Sequence, residues 1–117
     1  MFVSVAAVSR MPGPRTFCLG GIIHHQAVRI MVDSDSSHSF LKTKLATQLQ
    51  GIVPLSVPIV VQVANGARLQ CSAHCPATAW SVQEFTFSTD FKILDVFSYD
   101  AILGIDWLSQ FSPMHIH

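Results

Sequence analysis

Two apolar stretches of this chain end in residues with chemical potential. Ile30-Met31-Val32 runs directly into Asp33-Ser34-Asp35-Ser36-Ser37, and Ala101-Ile102-Leu103 runs into Gly104. A carboxylate delivered by a tight loop at the end of a buried strand is held rigidly and partly out of water, as an acid/base group requires. The hydroxyl that follows, on Ser34, can lock the loop. Small and acidic residues in a row compete for backbone hydrogen bonds, so 33–37 is expected to be a loop.

Other constellations are weaker. His38 lies close to Ser34, Ser36, Ser37 and Asp33, but residues this near in sequence rarely reach the geometry of a Ser-His-Asp triad. A surface or supporting role is the better expectation for His38. Cys71-Ser72-Ala73-His74-Cys75 resembles a metal cluster at first sight. On an extended strand Cys71 and Cys75 face one side and His74 the other, so they do not converge, and no metal or other cofactor is expected. His24-His25-Gln26 is polar enough to be a hairpin tip between two strands.

A third segment completes a pattern. Val63-Ala64-Asn65-Gly66 places Asn-Gly between apolar runs, a strong hairpin signal because both turn positions favour positive φ. Met31 to Phe40 (MVDSDSSHSF), then Val63 to Gly66, then Tyr99 to Leu108 (YDAILGIDWL) closely resemble the aspartic protease domain of gypsy-type (Ty3/gypsy) long-terminal-repeat retrotransposons. The likeness spans about Thr16 to Phe111. It implies a retropepsin fold, with a catalytic Asp-Ser/Thr-Gly loop, a hairpin flap over the site and an apolar-apolar-Gly strand crossing beneath the loop. Asp33 then matches the catalytic aspartate and Ser34 the hydroxyl that braces paired loops. Ala64, Asn65 and Gly66 match the flap tip, and Ile102, Leu103 and Gly104 the crossing strand.

The resemblance also implies a partner. Aspartic proteases use two carboxylates that share a proton, one activating water and the other protonating the carbonyl. This chain has one Asp-Ser loop, since Asp90, Asp95, Asp100 and Asp106 stand in other contexts. A working site therefore calls for a homodimer with Asp33 from each copy on a two-fold axis, acting on an extended polypeptide substrate. The pattern is broken at one position, where the family has glycine and this chain has Asp35. A dimer would crowd two Asp33 and two Asp35 carboxyls into one cleft, so activity is expected to be impaired. The alternative is an inactive, decayed or domesticated module that dimerises or binds peptides by strand addition.

Around these motifs the elements are mostly strands. Met11-Pro12-Gly13-Pro14 fits neither a helix nor a sheet ladder, so residues 1–15 are expected to be a disordered or non-family leader, with the domain over 16–111 and a tail over 112–117. Thr16 to Ile23 reads as a strand with a bulge or bend at Gly20-Gly21, followed by a strand over Ala27 to Val32. Leu41, Leu45 and Leu49 form one stripe of a short helix, with Ser37 or Ser39 as candidate caps and Gly51 as its stop. Further strands are expected from Pro58 to Val63, from Arg68 toward Cys75, and over Trp80 to Thr86 and Phe87 to Leu94. A second short helix follows Gly104. The fold class is mainly β, a small closed β-barrel of the acid protease (retropepsin) type with one or two short helices.

Composition narrows the functions. The chain has 117 residues, enough for one domain, and is 50% hydrophobic and 12% charged, with seven Lys+Arg against seven Asp+Glu. That is about half of the roughly 25% charge of a typical soluble domain, so some apolar surface is expected to be covered by a partner. A neutral total gives no basic footprint for nucleic acid. The longest apolar stretch, 51–63, is short of the roughly 20 residues that span a bilayer and carries two prolines, so no membrane partner is expected. Three cysteines are too few for a disulfide scaffold and suit a reducing, cytoplasmic setting.

Overall fold

The computed structural model describes residues 2–5, 16–63, 66–95 and 98–110. In chain order these form β1 (Phe2–Val5), β2 (Thr16–Ile23), β3 (Gln26–Asp33), β4 (Phe40–Leu41), α1 (Thr43–Leu49), β5 (Val53–Val63), β6 (Arg68–Val82), β7 (Phe85–Ile93), β8 (Ala101–Leu103) and α2 (Ile105–Leu108). The strands join in the order β1-β5-β6-β2-β3-β8-β4-β7, and a β6–β7 pairing closes the sheet on itself. This is the mainly β, ring-closed architecture with short helices that the sequence predicts.

Local chemistry explains the turns. β2 and β3 pair in antiparallel register up to Ile23↔Gln26, leaving His24 and His25 as a two-residue turn with φ of 52° and 62°. Positive φ at both positions suits the right-handed twist of the flanking strands, and histidine tolerates that region better than most side chains. Gly20 and Gly21 pair regularly with Arg29 and Val28, so the expected bulge is not there. Gly21 instead meets β6 closely: a Cβ there would stand 2.8 Å from the Ser81 carbonyl oxygen.

The core lies on both sides of β3 and β8. Met31 and Ile102 pack into a cluster with Phe40, Val61, Cys71 and Tyr99. Ile30, Val32, Ala101 and Leu103 face the other way, into a cluster with Leu41, Leu45, Trp80 and Phe91. With both faces covered, β3 is a near-continuous apolar run rather than an alternating one.

Several boundaries differ from the sequence reading. Leu41 belongs to β4, paired with Ala101 of β8 and Ile93 of β7, because strand pairing outweighs its helical spacing to Leu45. Neither Ser37 nor Ser39 caps α1; the Thr43 amide donates to the Asp95 carboxylate at 2.8 Å. Arg68 to Val82 is one strand whose register shifts between Cys75 and Thr78. Pro76 and Ala77, the latter at φ 51°, form the irregularity, and the Ala77 amide donates to Asp90 at 2.6 Å. The turn to β7 falls at Gln83-Glu84, so Phe85 and Thr86 lie on β7. Within the stretch read as a leader, Phe2–Val5 pairs in parallel with Val60 to Val63 of β5.

Candidate active site

Asp33 is the last residue of β3 and is fully buried. The chain turns immediately after it, with the Ser36 amide donating to the Asp33 carbonyl at 3.1 Å. The Asp35 amide donates to the Asp33 carboxylate Oδ1 at 2.9 Å. Ser34 is half-buried and Asp35 is exposed. A backbone donor aimed at a carboxylate oxygen fixes its orientation.

The loop after Asp33 wraps around the end of β8. β8 pairs in parallel with β3, from Ile30↔Ala101 to Val32↔Leu103, and antiparallel with β4 on its other edge, Phe40↔Ile102. The chain therefore leaves β3, crosses over residues 34–39 and returns on the far side of β8. Ile102 and Leu103 are fully buried. Gly104 lies directly under the crossing loop, where a Cβ would stand 2.6 Å from the Ser36 carbonyl oxygen and 2.5 Å from that of His38. Its φ of −100° is one any residue adopts, so space rather than torsion requires glycine here. Gly104→Ala is accordingly expected to cost about 2–3 kcal/mol, as overpacking against backbone does, and to lower Tm by roughly 10 °C. Calorimetry showing an unchanged Tm would contradict the close approach.

Links between distant segments hold the loop. The Ile105 amide donates to the Ser36 carbonyl at 2.8 Å, and the Ser36 hydroxyl donates to the His38 carbonyl at 2.7 Å. The Ser39 hydroxyl donates to Asp106 Oδ1 at 2.7 Å and accepts from the Gly104 amide at 3.0 Å. Sequence reasoning missed this Ser39–Asp106 link. Its only trace there is the polar pair of Ser39 before Phe40 and Asp106 after Gly104.

His38 is half-buried in the loop. Burial holds its imidazole below the ordinary 6.5, the Lys92 ammonium adds to that effect, and the Asp106 carboxylate opposes it. As pH falls below 6.5 the unfolded chain takes up a proton that the folded loop resists, so stability is lost from there down to the lower folded value. In urea denaturation, His38→Gln is expected to lose less stability than the wild type between about pH 7 and pH 5. Equal losses would contradict this.

The flap candidates are only partly placed. β5 and β6 form an antiparallel hairpin paired as far as Gln62↔Arg68, and Gly66 in its connection has φ +88°. Ala64 and Asn65 lie outside the described residues.

Cys71 packs in one apolar cluster and Cys75 in the other. The Cys71 thiol donates to the Ile93 carbonyl at 3.2 Å, and burial pushes the Cys75 thiol up. Among the described residues no group of three His, Cys, Asp or Glu side chains is placed to hold a metal. No described helix is long and apolar enough to cross a membrane.

A buried aspartate at a strand end, and an apolar-apolar-Gly strand threaded beneath its loop in a ring-closed sheet, define the class of retropepsin-like aspartic protease domains. Residues 15–116 match the family model described as retroviral aspartyl protease, and the chain belongs to that family. Among solved structures it is similar to the retroviral protease-like domain of Ddi1 from Leishmania major, with 15% identity and a TM-score of 0.63 over 84% of this chain and 78% of that one. At that identity the likeness speaks for the fold. No curated protein matches the chain.

Proposed function

We propose that this chain is an aspartic endopeptidase domain of a retrotransposon polyprotein, active as a homodimer whose turnover is lowered by Asp35. The observation that carries the reading is Asp33, a fully buried carboxylate oriented by the Asp35 amide in the only Asp-Ser loop of the sequence. One Asp33 takes a proton from water as the oxygen attacks the peptide carbonyl carbon, while the other gives its proton to the carbonyl oxygen. Collapse of the tetrahedral intermediate breaks the C–N bond as a proton passes to the leaving nitrogen. The substrate is an extended polypeptide held beneath the β5–β6 hairpin.

The surface of the single chain fits this assembly. The cleft lined by His24, His25, Pro76 and Trp80 and the one lined by Gln26, Lys42, Gln48 and Asp100 lie away from Asp33 to Asp35. Phe17 and Phe85 are 53% and 60% exposed, in keeping with the low charge. The free thiols of Cys18, Cys71 and Cys75 fit a reducing cytoplasmic setting.

A second reading, a non-catalytic module that dimerises or binds peptides, is favoured by Asp35 itself. Cleavage of an unstructured polypeptide that disappears in Asp33→Asn supports the endopeptidase. Peptide binding with no cleavage, even after Asp35→Gly, supports the module.

A further inference from the structure

We propose that Asp106 and Ser39 form a latch that positions Asp33, acting on the reaction through the crossing loop rather than by touching substrate. The inference rests on the endopeptidase reading for its catalytic consequence. The latch geometry stands independently of that reading.

The Asp106 carboxylate collects three donors. Its Oδ1 accepts from the Ser39 hydroxyl at 2.7 Å and from the Trp107 amide at 2.8 Å, while Oδ2 accepts from the Ser39 amide at 3.2 Å. Ser39 is fully buried, and its hydroxyl also accepts from the Gly104 amide at 3.0 Å. One side chain thus ties the end of the crossing loop to both the end of β8 and the start of α2.

The anchor itself is fixed by packing. The Trp107 ring lies 5.6 Å from those of both Trp80 and Phe87, which pins α2 to the β6–β7 hairpin. The opposite end of the loop is fixed by the β2–β3–β8 ladder that carries Asp33. Between these ends Ser36 is bonded twice to the frame, through its amide to the Asp33 carbonyl and through its carbonyl to the Ile105 amide. Loss of the Ser39 hydroxyl leaves the return side of the loop held by the longer Ser39 amide bond to Asp106 and by the two-residue strand β4, where the Lys92 amide donates to the Ser39 carbonyl at 2.8 Å. The turn that aims the Asp35 amide at Asp33 then keeps its Ser36 bonds but loses the side-chain tie of its return end to Asp106 and Gly104. Charge-assisted bonds to a carboxylate are among the stronger hydrogen bonds, so the link is suited to holding a loop that bears a functional aspartate.

The test combines amide hydrogen exchange in the full chain with cleavage kinetics in an Asp35→Gly parent. Ser39→Ala removes the hydroxyl while adding no bulk. The expected result is exchange at the Ser36 and Ile105 amides at least about tenfold faster, with the β6–β7 ladder unchanged. In the parent, Ser39→Ala is expected to lower kcat by a similar factor with KM unchanged. Asp106→Asn, which keeps the shape and one acceptor oxygen, is expected to give the same pattern at smaller amplitude and serves where Ser39→Ala does not fold. Loop amides that do not change, or that change together with the ladder, would overturn the latch, as would an unchanged kcat. A parent that cleaves nothing would count against the endopeptidase, and exchange alone would then decide the latch.

Discussion

Replacing Asp35 with glycine is expected to raise peptide cleavage by roughly a hundredfold. Nothing in the single chain objects to aspartate at this position. The side chain is exposed, and the described non-glycine residues with positive φ are His24, His25, Gln50, Ala77 and Gln83. In the proposed homodimer the penalty arises where the loop would meet its own copy and bring two Asp35 carboxylates beside the Asp33 pair. Two charges roughly 5 Å apart at an effective dielectric near 20 repel by about 3 kcal/mol. Each 1.36 kcal/mol is about a tenfold change in rate or equilibrium, so the variant gains in dimer population, in turnover or in both. Light scattering and kcat/KM on one peptide substrate separate these contributions. Equal activity before and after the substitution would show that Asp35 is harmless.

Asp33→Asn is expected to abolish cleavage, a loss of about 10⁴-fold or more, while leaving the fold intact. The amide keeps the size of the carboxylate and an oxygen that can accept from the Asp35 amide, so the turn survives. It can neither take a proton from water nor hand one to the carbonyl. Circular dichroism and thermal melting close to those of the parent, with cleavage gone, is the predicted combination. Residual cleavage near the parental rate would place the chemistry elsewhere.

Features set by local pattern were legible in the sequence. The burial of Asp33 follows from the apolar run Ile30-Met31-Val32, and the place of Gly104 beneath the loop is implied by the family resemblance of Ile102-Leu103-Gly104, while its close approach to the Ser36 and His38 carbonyls is seen only in the fold. Polarity alone marked the His24-His25 turn. What could not be read arises from contacts made across the fold. Leu41 has helical spacing to Leu45, yet the open edges of β7 and β8 capture it. The strand expected from Arg68 toward Cys75 runs on to Val82, since β6 absorbs Pro76 as an irregularity in which Asp90 accepts from the Ala77 amide. Ser39 looks like a helix cap, yet its partner Asp106 is 67 residues away in the chain. Hydrogen bonds of that separation leave no periodicity for a single sequence to show.

The low charge of the chain, 12% of its residues, is in keeping with the proposed homodimer. Half an active site per chain is tested most directly by subunit mixing. Asp35→Gly protein at a concentration where it is fully dimeric is titrated with Asp33→Asn/Asp35→Gly protein and allowed to exchange. Cleavage per Asp35→Gly chain is predicted to fall about tenfold at a roughly ninefold excess, as mixed dimers with one carboxylate replace active ones. Cleavage that stays constant per Asp35→Gly chain at every excess would contradict the shared site.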